Sequence, residues 1–233
     1  KAVENKDLTI VTLCKWMLNL SSTSSTFQKL PHVLIPNSID TTIYKYNESL
    51  SLREELNIDL DKKIILFVAN SLSEERKGFS MLEDTFNQLN DCIFLIVGDH
   101  IQNITNDNLI FLGKIYDEEE MARIYGASDL YIIPSLEDNL PNTVLESLCC
   151  GIPVVGFRIG GIPDMVEDGV NGYLSNEILP EAFLKSIKKS LKVDFDKSKI
   201  SKEAIKKYKT NKQIDDYLSL YKGILKNKNK FLN

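Results

Sequence analysis

Seven short apolar, β-branched runs recur along the chain with helix-like stretches between them: LTIVTL (8–13), HVLIP (32–36), KIILFVA (63–69), CIFLIVG (92–98), NLIFLG (108–113), DLYIIP (129–134) and PVVGF (153–157). Runs of this length and composition read as strands, and their near-continuous hydrophobicity calls for burial on both faces. The intervening segments GFSMLEDTFNQL, DEEEMARIYGAS and NTVLESLCC carry helical spacing. Strand and helix therefore alternate, which predicts an α/β fold: a Rossmann-like parallel sheet with helices on both faces. From about Leu179 onward the sequence reads as helical to its end.

Each central strand runs into a polar or glycine-bearing segment: NSLSEERKG after 63–69, Gly98-Asp99, Gly113-Lys114, PSLEDNLPN after 129–133 and RIGGIPD after 153–157. In a parallel sheet these segments share the carboxyl edge, where ligands of open α/β proteins bind. One of them, PSLEDNLPNTVLESLCCGIP (134–153), places Glu137, Asp138 and Glu146 around a helix that begins near residues 140–142 and stops at Gly151. Val144, Leu145, Leu148 and Cys149 form its apolar stripe, and Glu146 falls off that stripe on a helical wheel. The carboxylates have two readings. They are a solvated flank that complements a helix dipole, or they are aimed at a ligand. The helix start offers unpaired N–H groups from Leu140 to Val144, suited to a phosphate, and Arg76-Lys77-Gly78 before another helix supplies a second basic device on the same edge.

Composition excludes some chemistry. The 233 residues, 43% hydrophobic, suffice for one large core or one domain and part of another, and no window approaches a membrane span. The start, KAVENKDLTI, lacks an initiator Met and signal-peptide anatomy, and reads as a boundary within a longer chain. Cys14, Cys92, Cys149 and Cys150 lack metal-like spacing, and the two histidines are His32 and His100, so a His-based metal site is not expected. Reduced cysteines point to the cytoplasm. No G-x-G-x-x-G follows a strand, against a dinucleotide oxidoreductase. Residues 185–230 hold fifteen Lys against five Asp or Glu in a chain of net charge −5. Without arginine or an aromatic array this region does not read as nucleic-acid binding; solvated helices account for it, with attraction to the inner face of an anionic membrane as the sharper alternative.

The run PSLEDNLPNTVLESLCCGIPVVGFRIGGIPDMV resembles the signature of retaining glycosyltransferases of family 4, whose two-domain GT-B fold binds a nucleotide-sugar donor in its C-terminal half. The hallmark is two acidic residues separated by seven others; here they are Asp138 and Glu146, with Asp where most members have Glu, as in a branch with D-N-L-P-N. ILFVANSLSEERKGFSMLEDTF is similar to the family's phosphate-binding strand and helix, FLIVGD and IFLGKI to its next two strands, and CKWM with VLIPNSID to the end of its N-terminal domain, so the resemblance runs from Leu8 to about Leu174. The V-G-R arrangement of many members is replaced by VANS, leaving Arg76 as the candidate substitute for its arginine.

The resemblance implies roles. Glu146 would accept the ribose hydroxyls; Asp138 would face the donor sugar; Asn139, Leu140, Pro141, Asn142 and Thr143 would bring backbone amides to sugar and diphosphate; Gly113, Lys114 and Ile115 would hold the base through backbone groups. Lys77 and Arg76 would neutralise charge on the leaving diphosphate, in place of a metal and without another cofactor. Gly160-Gly161 would serve close turn packing near the acceptor. The implied organisation is residues 1–47 as the remnant of an N-terminal domain and linker, 48–210 as the donor domain, and 211–233 as a crossing helix with a basic tail. The acceptor would be a glycan or lipid-linked, and these 233 residues alone would not transfer sugar. A nucleotide-sugar epimerase of related fold and a non-catalytic nucleotide-sugar-binding module are the alternatives.

Overall fold

The computed structural model describes residues 7–47, 50–99 and 106–229; His100 lies outside the described residues. Ile10–Thr12 (β1) and His32–Leu34 (β2) pair in parallel across the helix Lys15–Thr23 (α1) and form a small sheet of their own. The main sheet has six parallel strands: Lys63–Val68 (β3), Cys92–Val97 (β4), Leu109–Gly113 (β5), Leu130–Ile133 (β6), Val154–Phe157 (β7) and Gly172–Ser175 (β8). Their order is β5-β4-β3-β6-β7-β8. The chain thus winds outward from β3 to β5, returns to the centre at β6, and winds out the other way. The β3–β6 boundary is the topological switch point.

Alternation along each strand divides the core. Ile64, Leu66, Leu95, Val97, Tyr131 and Ile133 face one side, in the core shared with Leu52 of Leu50–Glu55 (α2) and with Glu118–Ala127 (α4), Asn142–Cys149 (α5) and Lys197–Tyr208 (α7). Ile65, Phe67, Phe94, Ile96, Leu130 and Ile132 face the other, against Phe86 of Glu83–Gln88 (α3) and Phe183, Leu184 and Ile187 of Pro180–Ser190 (α6). A two-residue period in strands that are apolar throughout is what a sheet covered on both faces demands. The predicted fold class holds.

Two local expectations differ. The strand β8 is not among the seven runs, because GVNGYLS reads as a turn; its Gly172 is there for approach, since a Cβ would stand 1.9 Å from the Val154 carbonyl oxygen. GFSMLEDTFNQL is not one helix. Tight three-residue-per-turn segments at Glu75–Lys77 and Phe79–Leu82 precede the short α3, with Gly78 between them at φ +70°.

The segment 36–39 is tied to the joint between α7 and the last helix, Thr210–Asn229 (α8). Ile39 N–H donates to the Tyr208 carbonyl at 2.9 Å, and the Gln213 amide donates to the Pro36 carbonyl at 2.8 Å. Among the described residues, no helix is long and apolar enough to cross a membrane.

Candidate functional site

Pro134 ends β6, and the next seven residues lead into α5. This helix starts at Asn142 after Pro141, and Gly151 at φ +82° closes its C-terminus, as the sequence suggests. The helix is buried almost all round: Val144, Leu145, Ser147, Leu148 and Cys149 are all inside. Glu146 lies on the flank that is not fully inside, one turn after exposed Asn142. It is half-buried, and its Oε2 accepts a hydrogen bond from the Tyr125 hydroxyl at 2.9 Å. Burial raises its carboxyl above the ordinary range; the Tyr125 hydrogen bond pulls the other way, and Glu118 adds a smaller push upward. The expected row of unpaired N–H groups ends sooner than the sequence suggests, because the Val144 N–H is taken by the Pro141 carbonyl at 3.1 Å.

Glu146 and Thr143 stand one helical turn apart and line a cavity of about 500 Å³ on the carboxyl edge of the sheet. Val68, Ala69 and Asn70 at the end of β3, Val97 and Gly98 at the end of β4, and Lys114, Ile115 and Tyr116 after β5 form much of its wall, with Tyr44, Glu118 and Met121 completing it. The cavity lies beside the switch point, where the strand ends diverge. Gly113 ends β5 at φ +72° with its carbonyl bonded to the Gly98 N–H, so the chain turns there and delivers Lys114 and Ile115 to the wall. Lys114 stands 3.9 Å from Asp99, whose other oxygen accepts the Leu72 N–H at 2.6 Å. That backbone hydrogen bond holds the Asp99 carboxyl below its ordinary range.

Asp138 meets Lys77. Their Nζ–Oδ2 distance is 2.9 Å, and both side chains are largely covered, with Lys77 23% and Asp138 13% exposed. The loops that carry them are stitched together: Leu136 N–H donates to the Arg76 carbonyl at 2.8 Å. Arg76 itself turns aside, with Nε 2.5 Å from Glu74 Oε1 and about half of its side chain exposed. The structure brings Lys77 and Asp138 together and leaves Arg76 in its own loop. Leu140 and Pro141 are buried and brace the turn. Asn139 accepts from the Cys14 thiol at 3.1 Å, and exposed Asn142 accepts from Asn37 at 3.1 Å, so both amide side chains reach the segment before residue 48.

Gly160 and Gly161 pack against the same loop. A Cβ on Gly160 would stand 1.7 Å from the Asp138 carbonyl oxygen, and one on Gly161 1.8 Å from that of Asn139. This is the close turn packing expected of them. Sequence reasoning missed the layer beneath α5: Tyr131 donates to Thr143 Oγ1 at 2.8 Å, and Tyr125 reaches both Glu146 and the Thr143 carbonyl. A signal existed, since tyrosine in the otherwise apolar DLYIIP must find a partner for its hydroxyl. Among the described residues, no three His, Cys, Asp or Glu side chains are grouped closely enough to hold a metal ion.

Known proteins resemble the chain in sequence and in fold. The chain is 29% identical over 153 residues to N-acetyl-alpha-D-glucosaminyl L-malate synthase of Bacillus anthracis, covering 59% of this chain and 38% of that protein. Sucrose-phosphate synthase from Thermosynechococcus elongatus superposes with a TM-score of 0.80 at 20% identity, covering 96% of this chain and 59% of that one. Anabaena Alr3699/HepE, solved with UDP and glucose, superposes with a TM-score of 0.71 at 21% identity, covering 91% and 62%. The chain spans less than two thirds of each of the three. The fold is the Rossmann-like α/β fold of GT-B glycosyltransferases. The family described as Glycosyl transferases group 1 matches residues 62–192, more than half of the chain, and the chain belongs to that family.

Proposed function

We propose that the chain is the donor-binding part of a retaining, family 4 glycosyltransferase of the D-N-L-P-N branch, taking a nucleotide-diphosphate sugar and passing its sugar to a glycan or lipid-linked acceptor. The observation that carries this reading is the pairing of Lys77 with Asp138 on the same sheet edge as a cavity walled by Glu146, Thr143, Lys114 and Ile115. Those residues supply one acidic acceptor for a ribose, strand-end backbone for a base and a covered cation for a diphosphate. That a solved neighbour of the same fold holds UDP and glucose supports the assignment of ligand class.

In this reading the two carboxylates divide the donor. Glu146 accepts two ribose O–H groups, a task suited to a carboxylate with two oxygens. Asp138 faces the sugar and holds Lys77 until the diphosphate arrives. As the glycosidic bond breaks, negative charge grows on the leaving phosphate, and Lys77 is the cation given the task of neutralising it. Electrostatic stabilisation of that kind is commonly a large part of catalysis. Departure and attack then take place on one face of the sugar, so Asp138 is given no covalent role. Residues 1–47, with their separate β1–α1–β2 unit, are read as the end of an N-terminal domain, 48–210 as the donor domain and 211–233 as the crossing helix and basic tail.

Calorimetric titration with a panel of nucleotide sugars and free nucleoside diphosphates tests the reading. Micromolar to millimolar binding of a nucleotide sugar, weakened in Glu146→Gln, is the expected result. Failure of every donor and diphosphate to bind would refute it.

A further inference from the structure

We propose that Tyr125 is a positioning residue for ribose recognition: its buried hydroxyl clamps one oxygen of Glu146 so that the other is presented to the cavity. The inference rests on the ribose assignment of Glu146 and goes beyond it by naming what aims the carboxylate.

The geometry behind it is a tyrosine layer under the start of α5. Tyr125, on α4, is fully buried, and its ring is held edge-on between Tyr44, 6.3 Å away, and Tyr131, 5.8 Å away. Its phenolic proton has two acceptors in reach, Glu146 Oε2 at 2.9 Å and the Thr143 carbonyl at 3.2 Å, and the charged, nearer acceptor takes the better bond. Tyr131 treats Thr143 in parallel, donating to its Oγ1. Thus the two α5 residues that line the cavity are each held from below by a phenol. A phenylalanine would fill the same space in this apolar core without a hydroxyl to dehydrate, and burying a hydroxyl is unfavourable unless it finds an acceptor. Among the described residues, Glu146 Oε1 has no hydrogen-bond partner, while Oε2 has Tyr125. One oxygen is anchored and one is available.

The clamp also governs protonation. The groups facing Glu146 are Glu118 and Tyr125 from α4, Tyr44 from the segment before residue 48, Tyr131 from β6, Cys149 and Cys150 at the end of α5, and Lys114 across the cavity. Burial and Glu118 favour the neutral carboxyl, whereas the phenol's hydrogen bond favours the carboxylate. Removing the phenol leaves only influences that protonate Glu146 among those that shift it, and a protonated carboxyl is the poorer acceptor for two ribose hydroxyls.

The test is titration of the chain with uridine diphosphate and guanosine diphosphate across pH 4 to 8, using whichever binds the wild type more tightly. Tyr125→Phe is expected to weaken binding roughly three- to tenfold at neutral pH, a fraction of the worth of a hydrogen bond to a charged group. Its acid limb, where binding fails, should move to higher pH. In a Glu146→Gln background the same change should have no effect, and with a 2′,3′-dideoxy nucleotide the loss should vanish; a merely structural role for Tyr125 would persist in both. Substituting 3-fluorotyrosine at position 125 gives a stronger donor of nearly the same shape and should move the acid limb to lower pH. If that limb stays in place, or Tyr125→Phe costs as much in the Glu146→Gln background as in the wild type, the clamp is overturned while nucleotide binding stands. A wild type that binds neither diphosphate would instead overturn the site reading, and the clamp with it.

Discussion

Gly78 holds its backbone so near Pro134 that a Cβ here would stand 2.0 Å from the Pro134 carbonyl oxygen. Its φ of +70° is a conformation that L side chains rarely adopt. Two strand-end loops meet at this point, and the meeting is what carries Lys77 to Asp138. Gly78→Ala should therefore cost both stability and site geometry, about 2–3 kcal/mol for the strained backbone and the contact together. Urea unfolding of the chain measures the first; transfer rates, for this substitution and for those that follow, are those of the two-domain protein that the proposed function describes. A variant with wild-type midpoint and rate would show that the loops meet without needing glycine.

The Lys77–Asp138 pair makes a prediction about turnover. If Lys77 neutralises charge that is greatest at bond breaking, Lys77→Ala should lower kcat by more than it raises the donor KM. Arg76→Ala is the informative companion. Its guanidinium is engaged by Glu74 and half-exposed, so kcat should stay within about threefold of wild type, in keeping with the small worth of exposed ion pairs. Equal losses from both substitutions would restore Arg76 as the stand-in for the missing V-G-R arginine.

Glu146 links the site to stability. Its folded-state carboxyl is raised above its ordinary value of 4.5 by burial, so the folded protein holds that proton more tightly than the unfolded chain does. The stabilisation from protonation is fully present below about pH 4.5 and is lost as pH rises through the raised value. Glu146→Gln removes this dependence. Its melting temperature should gain on the wild type from pH 4 to pH 7, and a constant difference across that range would show that burial does not penalise the carboxylate.

Much of this was legible in the sequence. The alternation of β-branched runs with helical segments carried the sheet and its ligand edge, because strands buried on both faces leave few compositional options. Asp138 and Glu146 stood out through the resemblance of their loop to a family signature. Other features depend on long-range backbone approach or on which hydroxyl meets which carboxylate. Gly172 and Gly78 look like turn residues in one dimension, and only packing against Val154 and Pro134 reveals them as contact points. The Tyr125–Glu146 bond joins residues 21 apart on different helices, and the Arg76–Glu74 pair, which turns the candidate substitute for the V-G-R arginine toward its own loop, depends on local side-chain geometry that the sequence does not display.

Chelation bears on the same charge balance. If Lys77, covered and already beside the carboxylate it would leave for a diphosphate, takes the place of a divalent ion, EDTA should leave transfer largely intact. A strict requirement for added Mg²⁺ or Mn²⁺, restored after EDTA, would contradict that assignment.

The two carboxylates should separate by ligand. Free nucleoside diphosphate and nucleotide sugar share one ribose, so Glu146→Gln should weaken both, by roughly tenfold or more if two hydrogen bonds to a charged acceptor are impaired. Asp138 is different because it touches no ribose in this reading and is paired with Lys77 at 2.9 Å. Asp138→Ala removes a negative charge from beside the phosphate position and frees the amine, so free diphosphate should bind as well as before or up to about threefold tighter, a change well within one unscreened charge contact. Transfer should nevertheless fall sharply, since the sugar loses the group that faces it. Calorimetry with both ligands on both variants, alongside transfer assays, resolves the pattern. Weakened diphosphate binding in Asp138→Ala would mean that the Lys77–Asp138 pair shapes the phosphate site as a unit, and that Asp138 does not belong to the sugar.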